Sequence, residues 1–256
     1  MESSVFEYVH VGGNALGVPV GGAIRNGRNV IRIKGAGKPQ PYELRPGLLN
    51  ANGSMDLIAL TDLVKTVFDL AIYDPITKLL TASDIEVGTA SEGFKHTGSL
   101  IESLELSGTR EEAIKMSLAW QGADFSEPIG GTAPGVPDKA AWIFDQVTIG
   151  NISAPVEAFR LNIANTIDIG VALGSYKPNG LIGVGQQITL SLETLEHEAL
   201  SLGGASPTIQ NITIIFSGGK TITCVNATPE EQEIPIEEEG SITYANNFQV
   251  ENATIA

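Results

Sequence analysis

Gly219, Lys220 and Thr221 carry the lysine and threonine with which a phosphate-binding loop grips a nucleotide. Such a loop needs a glycine five residues ahead of the Gly-Lys pair. That position holds Ile214, inside an alternating apolar run, so the segment reads as a hairpin turn. The glycines of KGAGKPQ and LIGVGQQ do not complete the dinucleotide-binding fingerprint, and neither run opens a helix. A zinc protease needs two histidines one helical turn apart around a glutamate. EHEAL supplies His197 alone, and His10 and His96 stand singly in polar surroundings. Cys224 is the one cysteine, without an internal disulfide partner, and its place in KTITCVNA predicts a buried small side chain. Scattered acids could pair for glycoside hydrolysis. With 6% aromatic residues, however, the chain offers sugar-stacking platforms only at Trp120 and Trp142, whose apolar strand contexts predict core packing. The expectation is a non-enzyme with no catalytic residue, no bound metal and no cofactor.

The charge excludes a further class. Thirty Asp and Glu face 15 Lys and Arg, a formal charge of −15, which disfavours a protein that grips nucleic acid through phosphates. Through Pro128 there are 16 acids and 11 bases; from Ile129 onward there are 14 acids and 4 bases, so the second half carries most of the excess. Arg25, Arg28, Arg32, Lys34 and Lys38 form a basic run with no acid between Glu7 and Glu43. Glu230, Glu231, Glu233, Glu237, Glu238 and Glu239 crowd into PEEQEIPIEEEG. No stretch approaches the roughly 20 apolar residues of a membrane helix, and MESSVFEYVHVGGNALG lacks a signal-peptide pattern. A soluble protein kept in a cytoplasm is expected, and the NGS, NIS, NIT and NAT sequons then read as chance.

Helical periodicity is clear once, in SMDLIALTDLVKTVFDLAIYDP. Leu60, Leu63, Val64, Val67, Phe68 and Ala71 share a face, Thr61 or Ser54 offers a cap, and Asp74 before Pro75 ends the helix. Almost everything else has period two. LIESLELSG sets Leu104 and Leu106 opposite Ser103, Glu105 and Ser107; AIKMSLAWQG sets Ile114, Met116, Leu118 and Trp120 opposite Lys115, Ser117 and Gln121. With GTREE as the turn, the two runs predict a β-hairpin with one buried face. SEPIGGTAPGVPD, dense in Gly and Pro at the midpoint, predicts a linker over 128–137 between β domains at 1–127 and 138–256. Both halves carry hairpins around one helical segment, the second and weaker one over Glu193 to Leu202, which suggests a degenerate duplication.

The segment LIESLELSGTREEAIKMSLAWQGADF resembles the hairpin of viral tail tube proteins: a leucine and serine strand, a short turn, and a strand ending in aromatic, polar, Gly. VTIGNISAPVEAFRLNIANTIDIGVALGSYKPNGLIGVGQQITLSLETL, with Gly174, Ser175 and Pro178 in its loop, is similar to another strand pair of that family. IPIEEEGSITYANNFQVENATI resembles its terminal strand.

The resemblance implies a mainly β chain of two tandem tail-tube-type sandwich or barrel domains, each with a short flanking helix. It implies a structural subunit of the virion tail, assembled in the host cytoplasm, that joins copies of itself into rings. These are either trimers with pseudo-sixfold symmetry or hexamers, stacked as a conduit for viral DNA. Tape-measure, tail terminator and baseplate proteins would be partners, with no membrane and no specific DNA binding. A conduit wall should be neutral or acidic, because each phosphate contact avoided removes a salt-dependent barrier to sliding. Ser103, Glu105, Lys115 and Ser117 are the candidates for lining the lumen; the basic and acidic runs are candidates for contacts between rings or neighbouring subunits. A baseplate, capsid or injection-tube subunit is the nearest alternative. A carbohydrate-binding or adhesion sandwich would need export and an aromatic platform, and a saline host would also account for the acid excess.

Overall fold

The computed structural model describes residues 6–33, 43–59, 61–89, 91–126, 129–130, 141–150, 152–172, 175–194, 209–233 and 244–256. The first half forms β1 (Tyr8–Val11), β2 (Asn14–Ala15), β3 (Gly17–Ile33), β4 (Glu43–Ala59), helix α1 (Thr61–Ala71), β5 (Ser83–Gly88), β6 (Glu92–Thr109), β7 (Lys115–Gly122), β8 (Asp124–Phe125) and β9 (Ile129–Gly130). The second forms β10 (Phe144–Ile149), β11 (Ile152–Ala154), β12 (Val156–Gly170), β13 (Gly180–Thr194), β14 (Gln210–Phe216), β15 (Lys220–Glu233), β16 (Tyr244–Val250) and β17 (Asn252–Ile255).

Antiparallel pairing joins the strands of both halves into one front sheet, in the order β3-β4-β7-β6-β12-β13-β16-β15. Behind it, β2-β1-β5 pair with the first part of β6, and β11-β10-β14 with the first part of β15. The long strands β6 and β15 thus run from a back sheet into the front sheet. The layers bury one continuous core, which includes Val9, Ile85 and Val87 of the back sheet and Leu57, Leu104 and Leu118 of the front. Each such buried side chain contributes about 1.5–3 kcal/mol. The architecture is a mainly β sandwich.

The two halves repeat one pairing scheme. β1 to β8 stand to one another as β10 to β17 do. Even the irregularities coincide. An extra residue is bulged at Val20 and Glu157, at Glu102 and Glu230, and, on the strands facing Asp84 and Asn211, within Thr97–Gly98 and Val225–Asn226. Where the long strands change sheets, Gly98 has φ +59° and Asn226 +53°. Gly98 N donates to Asp84 Oδ1, and Asn226 N to Asn211 Oδ1, both at 3.1 Å.

The predicted hairpin is β6-β7, with Leu104, Leu106, Ile114, Met116, Leu118 and Trp120 buried. Trp142 and Cys224 are buried as expected. In α1, Val64, Val67, Phe68 and Ala71 face the core, while Lys65 and Asp69 pair at 3.3 Å on the outer side. Asp74 Oδ1 follows the helix and accepts from Ile76 N and Thr77 N. Ser54 lies inside β4 rather than at a helix cap, because the alternation of SMDLIA extends the strand to Ala59. Of the proposed linker, Ile129 and Gly130 pair with β6, and the rest lies outside the described residues. The second helical expectation ends β13 at Glu193 and Thr194; Leu195 to Leu202 lie outside the described residues.

Helix α1 also ties the halves together. Asn165 Nδ2 of β12 donates to the carbonyls of Ala71 (2.9 Å) and Ile101 (3.0 Å). Gln186 Nε2 of β13 reaches Ala71 O (2.9 Å) and Asn165 Oδ1 (2.8 Å). Lys65 Nζ meets Ile255 O at 3.2 Å. The open carbonyl of Ala71 at the helix end is met by two side chains from the other half.

Candidate functional site

Because side chains alternate across a strand, the residues left over from the core form the outer face of the front sheet. Register aligns them in a row: Asp56 of β4 opposite Ser117 of β7, Ser117 opposite Glu105 of β6, Glu105 opposite Asn162 of β12, Asn162 opposite Thr189 of β13, and Thr189 opposite Gln249 of β16. Ser107 pairs with Lys115 and Arg160 in the next row, and Ser103 with Ala119 and Ala164 in the row before. The four predicted lumen candidates therefore share one face, with Lys115 and Ser117 exposed and Ser103 and Glu105 half-buried.

Neighbouring strands are laced across this face. Ser117 Oγ donates to Asp56 Oδ1 at 2.6 Å, Arg160 Nε pairs with Glu105 Oε1 at 3.3 Å, and Gln187 Nε2 donates to Gln249 Oε1 at 3.3 Å. Its described charges are mixed and include Asp56, Glu105 and Glu193 beside Arg25, Lys115 and Arg160. Such a surface is wet and nearly balanced, and offers no basic stripe to a phosphate chain. Asp56, Asn162 and Arg160 escaped the sequence reading, although the alternation of SMDLIA and FRLNIA marks all three as outward-facing.

The described part of each charged run lies on one of the two outermost strands. Arg25 and Arg28 are exposed on β3, and Arg28 Nη1 donates to Tyr176 O at 3.2 Å; Arg32 belongs to the same strand. Glu230 is exposed on β15, which also carries Glu231 and Glu233. Lys34, Lys38, Glu237, Glu238 and Glu239 lie outside the described residues. Among the described residues, β3 pairs only with β4, and β15 from Thr228 to Glu233 pairs only with β16, so each end of the front sheet is an open edge.

Under the face, His96 corrects the sequence reading: it is fully buried, not set in polar surroundings. Trp120 Nε1 can only donate, and it does so to His96 Nδ1 at 2.9 Å, which leaves the ring proton on Nε2 to bond Asn26 Oδ1. Burial pushes the imidazole down to about 4 and the Cys224 thiol up to about 12. Among the described residues no group of three or more His, Cys, Asp or Glu is arranged to hold a metal ion, and no helix is long and apolar enough to cross a membrane.

The family model for phage tail tube protein matches residues 36–250. The chain belongs to that family. It is a structural component of the virion tail, of a kind that self-assembles into a tube, and its family is structural rather than enzymatic. A comparison with curated protein sequences finds no match.

Proposed function

We propose that this chain is the major tail tube subunit, closing into rings that stack to form the conduit for viral DNA. The observation that carries the reading is an eight-stranded sheet built from two like halves, polar on one face and open at both edges. Open edges promote aggregation in a lone subunit and are consumed when a ring closes. The halves are the two tube domains, so three chains supply six domains, a trimer with pseudo-sixfold symmetry. The outer face, with Ser103, Glu105, Lys115 and Ser117 beside Asp56 and Asn162, lines the lumen. Its mixed polar surface lets DNA pass without being held. Tape-measure, terminator and baseplate proteins contact the finished tube, which is built in the host cytoplasm.

Electron microscopy of the purified protein at high concentration tests this. Hollow tubes or stacked rings with three-fold averages are expected; a dispersed monomer at every concentration overturns the reading. Reversal of Glu237, Glu238 and Glu239 to Lys is expected to abolish long tubes, and unchanged tubes in that variant would remove the acidic run from the assembly contacts.

A further inference from the structure

The seam inside the chain provides a template for the seam between chains. Within one chain the halves join through β6 and β12, where Glu105 stands opposite Asn162 and Leu104 opposite Ile163. Counted from the bulges, Glu105 is three residues past Glu102, and Asn162 is five past Glu157. The open edges carry the same bulges, Glu230 on β15 and Val20 on β3. Three residues past Glu230 is Glu233, and five past Val20 is Arg25.

We infer that β15 pairs antiparallel with β3 of the next copy in this register, with Glu233 opposite Arg25 and Gln232 opposite Asn26. Two independent features support this. The pairing scheme that generates it is already present between the halves, so no new geometry is needed. The two strands that would meet also carry opposite charge: Arg25, Arg28 and Arg32 on β3, Glu230, Glu231 and Glu233 on β15. The internal seam is itself crossed by an ion pair, Arg160 to Glu105, at the corresponding level. Complementary charge on two edges of one chain specifies head-to-tail contact and disfavours other registers.

The seam rests on the ring reading above, and cysteine cross-linking separates the two. Directly opposed residues across a strand pair lie within disulfide reach, whereas those displaced by two do not fit well. Cys224 is buried and does not compete. In Arg25→Cys/Glu233→Cys, oxidation is expected to convert the monomer band to a covalent ring. Mixing the two single variants is expected to give a linked pair that neither gives alone. Ala23→Cys/Glu233→Cys and Gly27→Cys/Glu233→Cys, the registers slipped by two, are expected to stay monomeric on a denaturing gel. Preferential linking of a slipped pair overturns the register. Wild-type rings in the microscope with no linking in any pair overturn the seam and leave the ring standing. Absence of rings from the wild type removes both. As a second readout, Arg25→Glu is expected to lose assembly and Arg25→Glu/Glu233→Arg to regain it; assembly unchanged in Arg25→Glu contradicts the contact.

Discussion

Trp120 holds His96 in one tautomer: the indole N–H donates to Nδ1, and the opposite nitrogen reaches Asn26 on the edge strand β3. The contact runs from the core to the strand on which the arginines lie.

Stability is therefore expected to depend on pH in a definite direction. The imidazole titrates near 4 in the fold against 6.5 when free, so between these values the unfolded chain binds the extra proton. The contribution is complete above about pH 6.5 and is lost as pH falls towards 4, on the order of 3 kcal/mol in total. Urea unfolding of the wild type and of His96→Gln at pH 7 and pH 4.5 checks it. The difference between the two proteins should shrink on acidification, and a constant difference would refute the assignment. At pH 7 the variant should lose about 1–3 kcal/mol, since Trp120 and Asn26 lose a partner.

Packing around Trp120 makes a second expectation. Gly53 lies opposite it in register, and a Cβ there would overlap the indole. In the other half the corresponding pair is Leu190 and Phe248. Gly53→Ala should cost about 1–3 kcal/mol by overpacking. Trp120→Phe, which shortens the ring, should recover part of that cost in the double variant, measured as a coupling energy by thermal or urea unfolding.

Asn165→Ala should destabilise by about 1–3 kcal/mol, because it leaves the buried Ile101 carbonyl without its side-chain donor. Gln186 still reaches Ala71 O, so adding Gln186→Ala should cost more than in the wild type. Hydrogen exchange at the end of α1 should rise in the double variant.

The left-handed sites at Gly98 and Asn226 should respond oppositely to substitution. A Cβ on Gly98 meets Ala123 Cβ at 3.5 Å, an ordinary contact, so Gly98→Ala isolates the backbone term and should cost about 1–2 kcal/mol. Asn226→Gly should be close to neutral, and equal losses in both variants would argue against equivalent roles.

Period-two alternation made β6, β7 and the polar face legible, and the spacing of Val64, Val67, Phe68 and Ala71 made α1 legible. His96 was hidden because Lys95 and Thr97 flank it, while the register puts it in a core position that hydrogen bonds make tenable. The repeat was legible only as a degenerate duplication without matching residues, for a related reason. Hydrogen-bonded pairing constrains the backbone, whereas core volume can be redistributed: Gly53 with Trp120 in one half, Leu190 with Phe248 in the other, and His96 where Cys224 stands. Bulges have no reliable local signature, so the register that relates the two edges emerged only from the strand pairs.

The difference in sign between the outer strands also determines which encounters fail. Two copies meeting by a two-fold operation would bring β3 to β3, arginine against arginine, or β15 to β15, glutamate against glutamate. Such pairs would cap the growing edges and end assembly as dead-end dimers. In the proposed ring, like edges would repel, so every productive collision would have the same polarity and a free subunit would be reserved for closure.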